Sequence, residues 1–235
     1  MHCMIVLGLD TTTRTGSLAV MRDGLLLETA ALPPGQPAAS LPAEVGALIA
    51  RHAIRIDQVS AFAVAVGPGS FTGLRIGVAT MQGFAVAGRR PLIGVSGLDA
   101  LALEAGSGVV ATWVDAWRGE VYAVWYRDGV AAGEPTVDEP GSVLAGMEPE
   151  HGAHPVRFAG DGAERYRARI EEAHAQWRVV ETAAPLLAGQ VARIACRRLE
   201  GGETGAPGAV QPLYVRRPDV ELVRSARRGQ EQPRV

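Results

Sequence analysis

The chain has 235 residues, 47% of them apolar and 20% charged, with a formal net charge of −2. That length buries a sizeable core as one large domain or two small ones, and the near-neutral balance excludes a free-standing polyanion binder working through a global positive field. Lysine and asparagine are absent, so all 23 basic side chains are arginine; P-loop, Schiff-base and general-base lysines are excluded, and any phosphate must be held by backbone amides, arginine or a metal.

Ile5 to Leu9 is a short apolar run ending at Asp10, followed by a polar turn over 11–16 and a second extended run, Ser17 to Met21, which together predict a β-hairpin. Arg22, Asp23 and Gly24 turn the chain into a third strand near Leu25 to Thr29, and Pro33 to Pro37 reads as a loop. Ser40 is placed to cap a helix running to about His52, with Leu41, Val45, Leu48 and Ile49 on one face. Ala61 to Val66 is an apolar strand. Next comes GPGSFTGLRIGVATMQGFAVAG, a turn into a helix that Ser70 caps and Gly88 should end. Leu92 to Val95 is another strand, and Ser96 with Asp99 has the spacing of an acidic capping box opening a short helix.

The same plan then begins again. Val109 to Val114 is a strand ending in Asp115, a turn passes through Arg118 and Gly119, and Glu120 to Tyr126 is its hairpin partner, closed by a second Arg-Asp-Gly turn at 127–129. One offset relates Asp10 to Asp115 and the first Arg-Asp-Gly to the second, which predicts duplicated halves. Beyond them, 133–155 reads as loop, Gly160 to Gly162 as a glycine turn, and helices are expected over Ala163 to Gln176 and Pro185 to Leu199, the latter with Leu187, Val191, Ile194 and Cys196 as apolar positions. The last residues, rich in Arg, Pro, Glu and Gln, are expected to lack order. The boundaries expected are therefore 1–106, 107–217 and a tail over 218–235, with the late helix packing back on the first half.

In each half a hydrophobic strand delivers an aspartate to a tight turn: Asp10 to Thr11, Thr12 and Thr13, and Asp115 to its glycine hairpin. Such a carboxylate either holds Mg²⁺ beside amides facing phosphate or caps its own turn through Asx bonds. Gly67, Gly69 and Ser70 are open between an anion-binding turn and a plain tight turn, and Gly160, Asp161 and Gly162 raise the same two readings with the plain turn favoured. Gly73 and Gly77 lie inside a helix, where each glycine costs about 0.5–1 kcal/mol relative to alanine. Their helix packs there either on the chain's own sheet or on a helix of another subunit, with Leu74, Val78, Met81 and Ala85 alongside. His151 and His154 lie in a loop and Cys3 and Cys196 are far apart, so no metal cluster or disulfide scaffold is expected. Trp113, Trp117 and Trp125 flank the second hairpin, where Trp113 and Trp125 read as packing residues. Arg216, Arg217, Arg224, Arg227 and Arg228 make the tail locally basic. The start lacks the basic region and length of a signal peptide and no later run spans a bilayer, so a soluble cytoplasmic protein with no membrane contact is expected.

LGLDTTTRTGSLAV, AVAVGPGSFTGLRIGVATMQGFAVA, PLIGVSGLDALA, VDAWRGEVYAVWY and QPLYVRR occur in an order that resembles the TsaB (YeaZ) family across most of 4–217. The resemblance implies an α/β, actin-like ATPase fold (ASKHA, ribonuclease H-like) of two related lobes, each with a mixed sheet flanked by helices. In that superfamily the turns at Asp10 and Asp115 frame a nucleotide cleft. It also implies a non-catalytic paralogue of TsaD, the subunit that transfers threonylcarbamoyl to tRNA. Where TsaD carries an HxxxH helix, this chain offers only His52, so the metal site is missing and no catalytic residue is expected.

As partners the resemblance implies TsaD in a heterodimer, the ATPase TsaE, a homodimer when alone, and tRNA only through the complex. No cofactor is required by this chain itself, with ATP, ADP and Mg²⁺ at the level of the complex. The contact is expected on the two helices carrying Leu41, Val45, Leu48, Gly73, Leu74, Gly77, Val78, Met81 and Ala85, with the glycine pair admitting a close helix contact. The competing class is an actin-fold sugar or acetate kinase with Asp10 as metal ligand, against which the lack of a substrate-domain insertion counts.

Overall fold

A computed structural model describes residues 4–35, 38–151, 154–180 and 186–213. Cys3, Pro37, Pro185 and the five tail arginines lie outside the described residues. The first sheet has the order β3-β2-β1-β4-β5, built from β1 (Ile5–Asp10), β2 (Ser17–Arg22), β3 (Leu25–Ala31), β4 (Ala61–Ala65) and β5 (Leu92–Val95). Its first three strands run as an antiparallel meander, and β4 and β5 add in parallel after crossovers through α1 (Leu41–Arg51) and α2 (Phe71–Gly88). A connecting helix, α3 (Gly97–Ala105), leads to the second sheet.

The second sheet repeats the plan, with β6 (Val109–Asp115), β7 (Val121–Arg127) and the short β8 (Val130–Ala131) antiparallel, and β9 (Thr136–Asp138) also pairing with β7. After α4 (Pro140–His151), β10 (Val156–Ala159) pairs in parallel with β6; after α5 (Asp161–Arg165) and α6 (Arg167–Ala173), β11 (Trp177–Val179) pairs in parallel with β10. The order β11-β10-β6-β7-β8 is thus the first sheet's order over again.

The duplication extends to the hairpin turns. Asp23 and Gly24 have φ of 50° and 78°, and Asp128 and Gly129 have 51° and 80°. Positive φ at both positions is the type I′ turn that matches strand twist, for which Asp-Gly is suited. In each case the aspartate side chain accepts from the backbone of the strand entrance, Met4 N at 2.8 Å and Gly108 N at 3.0 Å.

Strand β1 is buried along its whole length because both faces of the sheet are covered. Leu7 and Leu9 face α1 and α2, packing with Leu48, Val78 and Met81. Val6 faces the other way, toward α7 (Ala188–Glu200), where Met21, Ala61, Ala63 and Ile93 meet Leu187, Val191, Ala192 and Cys196. Gly8 allows that approach, since a Cβ there would lie 2.5 Å from the Ala188 carbonyl oxygen. The last α-helix among the described residues therefore lies on the first sheet. The second sheet packs Trp113, Phe158 and Trp177 against Leu144, Met147 and Ile170 on one face, and Val110, Val124 and Tyr126 against Leu98 and Ala102 of α3 on the other.

Several local expectations are corrected. The 133–155 stretch is not all loop, since it holds β9 and α4. The helix expected over 163–176 starts at Asp161, breaks at Tyr166 and ends at Ala173, because β11 needs Trp177 as a core residue on the sheet. Helix α2 includes Gly88, and Arg89 takes the left-handed cap at φ 51°. Ser40 occupies the N-cap position of α1 without a side-chain cap bond. Ser96 does cap α3, accepting from Leu98 N at 3.2 Å, but Asp99 does not complete a capping box; its Oδ1 accepts from the Tyr126 hydroxyl at 2.8 Å. Among the described residues no helix is long and apolar enough to cross a membrane.

Candidate functional site

Asp10 ends β1 fully buried. Its Oδ1 accepts from the Thr12 amide at 2.8 Å and the Thr12 hydroxyl at 2.6 Å, and its Oδ2 accepts from the Thr13 hydroxyl at 2.6 Å. The hydroxyl run is what makes this possible, giving a short Asx-type turn in which burial of the carboxylate is balanced by charge-assisted bonds. Both oxygens accept from the chain's own turn, and the Thr12 amide is directed onto the carboxylate.

The GPGSFTG segment seats that turn. Ser70 N donates to the Thr12 carbonyl at 3.0 Å, and a Cβ on Gly69 would lie 2.6 Å from the same oxygen. Ser70 caps α2 by accepting from Gly73 N at 3.2 Å. The Thr11 hydroxyl donates to the Gly73 carbonyl at 2.7 Å. A Cβ on Gly73 would stand 1.9 Å from the Thr11 carbonyl oxygen, and one on Gly77 2.2 Å from Thr11 Oγ1. The glycine pair is therefore filled by the chain's own hairpin turn, neither by its sheet nor by a second helix, which corrects its reading as a close helix contact. Gly67 has φ 109°, and a Cβ there would meet Leu74 and the Leu213 carbonyl oxygen.

The second strand end repeats the motif with different partners. Asp115 Oδ1 accepts from Trp117 N at 3.0 Å, and its Oδ2 pairs with Arg165 Nη1 at 2.9 Å. Asp161 Oδ1 accepts from the Asp115 amide at 3.0 Å, and partial desolvation beside β6 raises the Asp161 carboxyl above its ordinary value although the residue is exposed at the surface. Gly160 and Gly162 are pressed on β6, where a Cβ would come within 2.2 Å of the Trp113 carbonyl oxygen and 2.9 Å of the Val114 carbonyl carbon. The sequence reading missed Arg165, which carries no local signal because it lies on a helix of its own. Asp10, Thr11, Thr12, Thr13, Gly67, Gly69 and Ser70 thus form one cluster, and Asp115, Gly160, Asp161 and Gly162 a second at the equivalent end of the other sheet.

The nine residues expected at a partner contact prove to face inward. Leu41, Val45 and Leu48 of α1, and Leu74, Gly77, Val78, Met81 and Ala85 of α2, are buried in the chain's own interior, and Gly73 is half-buried under Thr11. The outward side is instead Ala43, Gly46, Ala47 and Ala50 on α1, with Thr72, Arg75, Ala79, Gly83 and Val86 on α2, all exposed. A Cβ on Gly46 or Gly83 would meet nothing within 4 Å. His52 points to Glu28, with Nε2 2.7 Å from Oε2, and Arg51 pairs with the same carboxylate.

The sequence also matches the family described as TsaD, tRNA N6-adenosine threonylcarbamoyltransferase, over residues 38–222. The Escherichia coli tRNA threonylcarbamoyladenosine biosynthesis protein TsaB is 32% identical over 222 residues, covering 91% of this chain and 95% of that protein. The chain belongs to the TsaB (YeaZ) family. A Pseudomonas aeruginosa crystal structure, described as an uncharacterized protein with similarity to peptidase YEAZ, superposes on this TsaB-family chain with a TM-score of 0.77 at 31% identity, covering 92% of this chain and 100% of that one. The ROK hexokinase of Thermus thermophilus shares the fold alone, with a TM-score of 0.53 at 15% identity over 85% of this chain and 100% of its own. The architecture is the actin-like ATPase fold, with two mixed sheets flanked by helices.

Proposed function

We propose that this TsaB-family chain is a non-catalytic subunit of the machinery that makes threonylcarbamoyladenosine in tRNA. It binds and supports the catalytic subunit TsaD together with the ATPase TsaE, forms a homodimer when alone, and works in the cytoplasm. The biosynthetic role is taken from the printed name of the E. coli relative. The reading as non-catalytic is supported by the turn at Asp10, whose buried carboxylate already accepts three bonds from Thr12 and Thr13 of its own chain. ATP, ADP and Mg²⁺ belong to the complex, and tRNA is met only there. The chain divides near residue 106 into two lobes, with α7 lying on the first.

The docking face is the outward side of α1 and α2. Small residues at Gly46, Ala47, Ala79 and Gly83 let another backbone approach closely, and exposed Val86 adds apolar area. The test is co-purification with TsaD and TsaE followed by threonylcarbamoyl transfer to tRNA, comparing wild type, Ala79→Arg with Gly83→Arg, and Asp10→Asn. Wild type should bind and restore transfer, the double arginine variant should stay folded and do neither, and Asp10→Asn should retain transfer. Phosphoryl transfer by the isolated chain that disappears in Asp10→Asn would instead establish an actin-fold kinase.

A further inference from the structure

A cavity of about 490 Å³ lies between α3, the Asp128–Gly129 turn and the C-terminal end of α7, within the size range of small-molecule sites. It opens near the start of β6, whereas Asp115 stands at the other end of that strand, roughly 20 Å away at ordinary strand rise. It is thus remote from the Asp115 turn. Its apolar lining comes from Ala102, Leu103 and Ile194, and its charged lining includes Asp99, Asp128, Arg197 and Arg198.

Three of those four charges are already committed. Asp99 accepts from the Tyr126 hydroxyl at 2.8 Å and faces Arg198 at 3.6 Å. Burial pushes the Tyr126 hydroxyl far above its ordinary value, so it stays protonated and remains a donor to Asp99. Arg198 also donates to the Gly94 carbonyl at 2.9 Å, and Asp128 accepts from Gly108 N at 3.0 Å. Arg197 alone keeps its fork: among the described residues its guanidinium has no hydrogen bond or ion pair, yet it lines the cavity. An unpaired guanidinium beside apolar lining selects an anion with an apolar body, since its planar donors match a carboxylate or phosphate two at a time.

We infer that this cavity takes a small organic anion, one phosphate or carboxylate on a compact apolar group, with Arg197 gripping the anion and Leu103 and Ile194 packing on the body. Because α3, α7 and the β7–β8 turn come from both halves of the molecule, the ligand joins them. This site is independent of the tRNA-modification reading.

The full chain would be titrated by calorimetry with phenyl phosphate, benzoate, inorganic phosphate and benzyl alcohol, and melted in the presence of each. At least one of the two aromatic anions should bind and raise Tm, the better of them deciding between phosphate and carboxylate, while benzyl alcohol should do neither. Arg197→Gln, an exposed position whose loss leaves the fold intact, should weaken binding about tenfold or more, the usual worth of a charge-assisted bond. Leu103→Asp should block binding. No aromatic anion bound up to about 10 mM, an unchanged affinity in Arg197→Gln, or inorganic phosphate binding as tightly as phenyl phosphate would each overturn the inference.

Discussion

Replacing Gly77 with alanine puts the packing of α2 on the Thr11 turn to a direct test. In a free helix the change stabilises by about 1 kcal/mol through propensity. Here the new Cβ would stand 2.2 Å from Thr11 Oγ1, so that hydroxyl must move and its 2.7 Å bond to the Gly73 carbonyl is lost. Overpacking costs about 1–3 kcal/mol and the broken hydrogen bond about 1 kcal/mol. The net is a destabilisation of roughly 1–3 kcal/mol, or a Tm lower by about 3–10 °C for a chain of this length.

Gly83→Ala is the same change in the same helix with no atom within 4 Å, and should raise Tm by about 2–4 °C. Thr11→Ala should rescue Gly77→Ala, because the next Thr11 atom, its Cβ, is an ordinary 3.4 Å away. It should not rescue Gly73→Ala, which meets the Thr11 backbone oxygen at 1.9 Å. Calorimetric melts of the single and double variants read all of this. If Gly77→Ala and Gly83→Ala shift Tm in the same direction, the packing argument is wrong.

Asp10→Asn removes a carboxylate that accepts three bonds, and should lower Tm by about 4–10 °C, measured by circular dichroism. Asp161 has a raised folded-state pKa, so the protonated form is favoured by folding; the stability this gives is present below the ordinary value of 3.8 and is lost as pH rises through the folded value. Asp161→Asn, which still accepts from the Asp115 amide, should therefore match wild type in acid and become relatively more stable as pH rises, as seen in denaturant titrations across that range. Burial holds the Cys196 thiol near a pKa of about 11 with 3% exposure. In a Cys3→Ser background it should resist a thiol reagent until the chain unfolds, and labelling at the native rate of a free thiol would contradict its burial.

The hairpins and the strand-turn-helix around Gly67 to Ser70 were legible because each carries a local signal: an apolar run, an Asp-Gly turn, a capping serine. The segment Pro140–His151 was not, since two glycines and two prolines in PGSVLAGMEPEH blur any helical period. Strand β10 hid in four residues with Arg157 among them, although the alternation of Val156 and Phe158 was a signal that could have found it. The aspartate turns were found by spacing, but the bonds of Asp10 to Thr12 and Thr13 and of Asp115 to Trp117 and Arg165 depend on how the folded turns direct their side chains. The helix glycines showed only that something approaches closely; that it is Thr11, from the opposite end of the crossover, depends on the fold. The apolar stripes of α1 and α2 were assigned to a partner although they are buried in the chain's own interior, because such a stripe marks what a helix buries in its own protein before it marks anything a partner touches. Arg197 drew no notice because its meaning lies in which neighbouring charges are already spent.

The position of α7 on the first sheet also sets an order of events during synthesis. Strands β1 to β5 are complete by Val95, but the side bearing Val6, Met21, Ala61, Ala63 and Ile93 stays uncovered until the helix ending at Glu200 has left the ribosome. At ordinary elongation rates that delay is about 5–20 s. The second sheet is made in that interval, so the half that starts first is finished last. A nascent chain arrested before α7 presents an open apolar sheet face, the kind of surface that chaperones hold and that aggregates when they do not.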